Sequence, residues 1–278
     1  MLRQRVLTAV VLLALLLPTL WVRNPWPFVA LSLLLISAAA WEWGRLNGLS
    51  PLLSIACGAL LAIAGLWLAA SSWPLHEGGW IWWLAAAAWL LGGAWVLRVG
   101  PANWATWPAA LRVSIGVALL AVAWWALVQA RIFGVNYLLS VLCIVWAADI
   151  AAYFGGRAFG RRKLAPTISP GKSWEGVISG WLGVLALAFL WLAIDARWAA
   201  DSASIFTLLR QRFGAAAMLL AVLVLAAFSV IGDLFESLIK RAVGAKDSSA
   251  LLPGHGGVLD RVDALLPVLP CAMALTTW

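Results

Sequence analysis

Between Ser237 and Asp263 the chain gathers Lys240, Arg241, Lys246, Asp247, His255, Asp260, Arg261 and Asp263 around a Pro-Gly-His-Gly-Gly run at 253–257. Cations neutralise phosphate oxygens, carboxylates hold metal ions, and glycines let backbone N–H groups come close to an anion. The mixture suits a reaction on phosphates. Just before it, Asp233, Glu236, Ser237, Lys240 and Arg241 recur at helical spacing and make one polar face. Leu234, Phe235, Leu238 and Ile239 cover the other side. The same pattern would also suit an interfacial helix lying against lipid headgroups. Asp260 and Asp263 are three residues apart and can share a helical face, with Arg261 turned away. His255 by itself is more often a structural residue than a catalytic one.

Two upstream stretches add to the set. In WAADIAAYFGGR, Asp149, Tyr153, Gly156 and Arg157 again fall on one helical face. A carboxylate inside an apolar helix costs roughly 2.5–3.5 kcal/mol on insertion scales, so Asp149 must meet a cation, a metal or water. In GRRKLAPTISPGKSWEG, residues 160–176, Lys172, Ser169 and Ser173 stand ready for phosphate oxygens in a Pro/Gly-punctuated loop. Arg161, Arg162 and Lys163 alone read as a topology signal. Gly171-Lys172-Ser173 matches the end of a P-loop, but the earlier glycine would fall at Pro166 and no strand precedes it.

These groups need a scaffold, and the composition says which kind. The chain has 278 residues, 64% hydrophobic and 11% charged, against about 25% charged in soluble domains. Apolar blocks of membrane-crossing length recur. An all-α, polytopic membrane protein follows, because helices satisfy every backbone group in lipid and barrel strands would alternate in polarity. Nine spans are expected, at roughly 6–22, 26–43, 52–70, 79–97, 110–129, 136–155, 176–194, 215–233 and 263–278. The last is short and holds Pro267 and Pro270. Arg3 and Arg5 before the first apolar run resemble a signal peptide, but another apolar block follows at once, as expected of a retained helix. Five helices fill an N-terminal region, 1–130. A catalytic region, 131–278, carries the polar loops 156–175 and 234–262.

Several of the 21 tryptophans, among them Trp21, Trp26, Trp41, Trp43, Trp73 and Trp80, fall near block ends, where indole favours the membrane interface. Trp82, Trp83 and Trp89 lie within a block and read as lipid-facing or packed between helices. Cys57, Cys143 and Cys271 show no metal spacing and read as small core residues. With a cytoplasmic N-terminus, only Arg23, Arg131, Arg197, Arg210 and Arg212 of the 19 Lys and Arg lie outside. Both polar loops then share the cytoplasmic side. So do Glu42, Asp149, Glu175, Asp233, Glu236, Asp247, Asp260 and Asp263, out of 11 acidic residues. Carboxylates, hydroxyls and substrate phosphates are the ligands Mg²⁺ prefers. No repeat marks two transporter halves.

The run S-x-I-K-R-x4-K-D-x-S-x2-L-P-x-H-G-G-V-x-D-R-V-D, Ser237 to Asp263, resembles the full signature of the phosphatidate cytidylyltransferases, or CDP-diacylglycerol synthases. D-I-A-A-Y-F-G-G-R and K-L-A-P-x-I-S-P-G-K-S-W-E-G are similar to that family's other characteristic block, so the likeness covers roughly 145–263. An R-x-x-x-A opening followed by W-E-W resembles the family in the N-terminal half. The resemblance implies that CTP and phosphatidic acid give CDP-diacylglycerol and pyrophosphate. It implies Asp233 and Asp260 as carboxylates of a Mg²⁺ centre, with room for a second cation. Asp149 and Asp263 follow as secondary ligands or orienting groups. Lys172, Lys240, Arg241, Lys246 and Arg261 become phosphate contacts, with Asp247 beside them in the catalytic set. Tyr153, Ser169, Ser173, Ser237, His255, Gly256 and Gly257 become substrate contacts. It further implies the inner (plasma) membrane, a homodimer and no nucleic acid. A CTP-dependent lipid kinase would instead transfer the γ-phosphate. A transporter or scaffold could dispense with the carboxylates, yet all of them are present. The D-G-x2-A-R run of CDP-alcohol phosphotransferases is absent.

Overall fold

The structure, a computed structural model, describes residues 2–71 and 79–277. It is a bundle of helices: α1 (Leu2–Trp21), α2 (Trp26–Leu46), α3 (Pro51–Ala70), α4 (Gly79–Ala87), a π-helical turn (Ala88–Gly93), α5 (Ala94–Val99), α6 (Pro101–Thr106), α7 (Ala109–Phe133), α8 (Val135–Phe159), α9 (Trp174–Asp195), α10 (Ile205–Ala242), α11 (Leu259–Val262) and α12 (Leu265–Thr276). Among the described residues, seven segments are long and apolar enough to cross a bilayer: α2, α3, the stretch Gly79–Val99, α7, α8, α9 and α10. The chain is a polytopic all-α membrane protein.

Of the nine expected spans, 263–278 is corrected, and 6–22 is not among the seven. The apolar part of α1, Val6–Trp21, is shorter than any of the seven. The expected span 263–278 is the 12-residue α12, which rises only about 18 Å at 1.5 Å per residue, against a hydrocarbon core of about 30 Å. It is no lipid-facing helix: Leu266 through Ala274 are all buried, against α4, α7, α8 and α10. Its far end is pinned by a 2.7 Å hydrogen bond between Thr276 Oγ1 and the Tyr137 hydroxyl. Hydropathy reads a buried helix and a short membrane helix alike, so it cannot separate the two.

Local chemistry explains the ends of the helices. Ser50, Ser173 and Ser204 are N-caps whose hydroxyls accept from the backbone N–H three residues on. Gly134, at φ 146°, turns α7 into α8. The expected eighth span, 215–233, belongs to a longer α10 that starts at Ile205 and runs past the expected end to Ala242, broken only at Gly214 (φ 82°). The expected loop 156–175 starts inside α8 and ends inside α9, and between them it folds as a hairpin, β1 (Lys163–Ala165) against β2 (Ser169–Ser173), antiparallel, with Lys163 opposite Ser173. Gly171-Lys172-Ser173 is thus strand rather than phosphate-cradling loop, and Ser173 passes directly into α9.

The tryptophans divide. Trp21, Trp26 and Trp80 are exposed, as interfacial residues are. Trp43 is not: it is 1% exposed, donates to the Arg112 carbonyl at 3.0 Å and stacks on Phe235. Trp82 and Trp89 pack inward and Trp83 faces out. Trp73 lies outside the described residues. Cys271 is buried, while Cys57 and Cys143 are partly so.

One end of the bundle collects the polar segments. The start of α1 meets the turn at Pro253 through Thr8 Oγ1. The end of α2 meets the segment 248–259 through Glu42. The 163–173 hairpin meets the end of α10, where Arg241 Nε donates to the Ile168 carbonyl at 3.3 Å. Both polar loops therefore lie together. Beneath them α8 and α9 approach closely over small residues. A Cβ at Gly176 would stand 3.0 Å from the Ala152 carbonyl, and one at Gly180 3.0 Å from that of Ala148.

Candidate active site

A cavity of about 500 Å³ opens between α8, α9, α10 and β2. Asp149 lies ten residues before the end of α8 and Asp233 nine before the end of α10. At 1.5 Å per residue both sit about 14–15 Å down their helices, so the two carboxylates face the cavity at matching depth. Lys172 reaches in from β2 and pairs with Asp233 at 2.5 Å. Asp149 feels the charge of both. Ser237 Oγ donates to Asp233 at 3.3 Å. Arg157 donates to the Tyr153 hydroxyl at 3.4 Å, also at the cavity wall. Much of the rest of the wall is small or apolar, including Gly156, Gly176, Gly180, Val177, Ala226 and Val230. The lining thus combines charged groups with surface suited to hydrocarbon.

Beside it runs a second, denser network. Lys240 Nζ lies 2.5 Å from Glu236 and 2.6 Å from Asp260. The other Asp260 oxygen accepts from the backbone N–H of Ser248 at 2.9 Å, its hydroxyl at 2.8 Å, and the N–H of Gly257 at 2.7 Å. Burial alone would push this carboxyl up; the surrounding hydrogen bonds prevail and hold it below the usual carboxylate range. Asp263 goes the other way, pushed up to about 8 by burial and by the neighbouring charge of Asp233.

The structure separates the expected residues into groups. Asp149, Tyr153, Ser169, Lys172, Ser173 and Asp233 line the cavity, although Ser173 Oγ is already committed to capping α9. Lys240, Asp260 and Gly257 belong to the dense network. Arg241 is engaged by backbone carbonyls of Ile168 and Ala245, and Arg261 by that of His255 at 2.8 Å; both tie loops together. The His255 Nδ1 is buried without a hydrogen-bond partner. Gly256 has φ 83°, and a Cβ there would come 2.6 Å from Asp260 Oδ2. Lys246 and Asp247 are exposed on the loop. The polar face of α10 is not laid on lipid headgroups: Glu236 is 1% exposed, and the opposite face, with Phe235 against Trp43, Trp89 and Trp104, is buried as well.

Sequence reasoning passed over two carboxylates. Glu236 is visible on the polar face of α10 but does not stand among the residues expected to act. Glu42 is visible only as one more acidic residue, inside W-E-W. Among the described residues, no group of three or more His, Cys, Asp or Glu side chains converges as a ready metal site.

A polytopic membrane protein with a recessed cavity that mixes charged and apolar lining is a setting suited to an enzyme that joins a charged solute to a lipid. The cytidylyltransferase family model matches residues 3–278. A phosphatidate cytidylyltransferase of Pseudomonas aeruginosa is 40% identical over 99% of this chain and 97% of its own length. One of Brucella suis is 36% identical over 95% of this chain and 89% of its own. One of Haemophilus influenzae is 51% identical over 49% of this chain and 44% of its own. The chain belongs to the phosphatidate cytidylyltransferase (CDP-diacylglycerol synthase) family and is an enzyme of the nucleotidyltransferase class. Membership implies a divalent cation in catalysis.

Proposed function

We propose that the cavity between α8, α9 and α10 is where phosphatidic acid and CTP meet to give CDP-diacylglycerol and pyrophosphate. The observation that carries this reading is its mixed lining: Asp149, Lys172 and Asp233 together with glycine, alanine and valine. A diacylglycerol phosphate needs both. The lipid phosphate attacks the α-phosphorus of CTP, a new P–O bond forms, and the bond to pyrophosphate breaks. Both reactants are anionic, so the work is alignment and charge neutralisation. A phosphate monoester is already ionised near neutral pH, so no general base is required. Lys172, partly exposed at the cavity, can hold a phosphate oxygen. Lys240 is held more rigidly, between Glu236 and Asp260.

The donor set fits a hard cation. Each family-matched carboxylate already carries an ammonium, Lys172 on Asp233 and Lys240 on Asp260, so positive charge is stabilised at both. Mg²⁺ would be held by Asp233 and Asp260, with Asp149 or Asp263 orienting and room for a second cation, and would neutralise the phosphate oxygens of CTP. The cationic excess around the polar end supports the reading that this end, with the N-terminus, lies in the cytoplasm of the inner membrane. A homodimer accords with the family resemblance.

The test is purified protein with phosphatidic acid, Mg²⁺ and CTP labelled at the α or the γ phosphate. Transfer of the α label to lipid, with the γ label leaving in pyrophosphate, supports the reading; transfer of the γ label makes the protein a lipid kinase and overturns it. A reporter fused after Arg162 should read as cytoplasmic, and an external signal reverses the orientation.

A further inference from the structure

We propose that Glu42, from the N-terminal region, is the positioning residue of the catalytic loop. It is 0% exposed, and four donors converge on it. Oε1 accepts from Ser249 Oγ at 2.5 Å and the Val258 N–H at 3.0 Å. Oε2 accepts from the Leu259 N–H at 2.7 Å and Ser248 Oγ at 3.2 Å. All four donors belong to the segment that carries Asp260. The hydroxyl of Ser248 faces Asp260 Oδ2 as well, at 2.8 Å, so one proton links the two acids. Asp260 in turn holds Lys240. A continuous polar chain therefore runs from α2 to α10: Glu42, Ser248, Asp260, Lys240, Glu236.

Both ends of the clamp are fixed. Trp43, next to Glu42, is bound to the Arg112 carbonyl and stacked on Phe235, which sets the rotation of α2 against α7 and α10. Gly257 leaves the space the carboxylate fills, since a Cβ there would collide with Glu42 Oε1 and Ser248 Oγ. An apolar side chain would close a loop over a helix end at less cost than a buried carboxylate, whose desolvation must be offset by hydrogen bonds. What a carboxylate adds is direction: two oxygens fix two backbone amides and two hydroxyls in one geometry. The role rests on the reading that the 248–260 loop serves the transfer reaction.

The experiment compares Glu42→Gln with wild type in purified full-length protein. It measures kcat, KM for CTP and for phosphatidic acid, melting temperature, and amide hydrogen exchange. Glutamine keeps the volume but turns an NH₂ donor onto donors. The expected result is a fall in kcat of roughly 10–100-fold, as for partners that orient ligating groups. Exchange at 246–262 should quicken, with KM for phosphatidic acid and the exchange of the other helices little changed. Glu42→Asp should recover part of the loss. Unchanged kcat and exchange overturn the proposal, as does a melting temperature that falls while the folded fraction keeps its kinetics. If Glu42→Gln does not fold, Ser248→Ala and Ser249→Ala each remove one donor and leave the acid in place; wild-type kinetics in both also overturns it. Failure of the α label to move in wild type is a separate outcome and strikes the reaction, not the clamp.

Discussion

The two ends of the bundle both hold carboxylates, and they use them differently. At the far end, Asp201 accepts from the backbone N–H groups of Val135 and Asn136, closing the start of α8. Asp195 accepts from Ser204, Thr207 and the Asn136 side chain. These acids are met by neutral donors and serve as caps. At the polar end, Asp233, Glu236 and Asp260 meet lysines beside a cavity of about 500 Å³. Carboxylate content alone does not separate a cap from the proposed reaction site; the cations that answer the acids, and the space left next to them, set the two apart.

The sharpest break in that comparison comes from removing one charge at each end. Asp233→Asn should lower kcat by roughly 10²–10³-fold or more, the scale of a lost electrostatic contact in a transition state, with the protein still folded. Near-normal activity would remove Asp233 from the site. Chelation of divalent cations should stop turnover and added Mg²⁺ should restore it; turnover that persists in excess chelator would remove the metal from the mechanism. The two lysines should then differ from one another. Lys240→Ala strands Glu236 and Asp260, and losing one partner of a buried pair costs about 3–5 kcal/mol, so both melting temperature and kcat should drop. Lys172→Ala, at the open cavity, should change KM for CTP or lipid with little change in melting. Equal effects on stability would show that the two sites are not built differently. The smallest effect belongs to the far end: Asp201→Asn should lower the melting temperature by about 2–4 °C and leave kcat alone, and a loss of activity there would erase the distinction between the ends.

Much of the arrangement is legible in the amino-acid sequence. The seven long spans fall within a few residues of the apolar blocks, apart from α10, because twenty apolar residues have few other stable fates. Asp149 and Asp233, which line the cavity, stand out as polar groups on otherwise apolar helices, where each costs free energy to keep. The α10 break at Gly214 is less legible, since nothing about a lone glycine says whether the chain bends there.

By itself, then, the sequence determined the membrane class, the seven long apolar helices, and the family to which the Ser237–Asp263 run belongs. Only the tertiary structure decided that α12 is buried rather than crossing, because burial depends on which helices surround a segment and not on its own hydropathy. Only it showed the hairpin under Lys172, whose pairing joins residues that have no alternating pattern to announce a strand. And only it brought Glu42 to Ser248 and Leu259, partners 206 and 217 positions away. A buried carboxylate is stabilised by whichever donors the fold delivers to it, and no local spacing in the chain records which those will be.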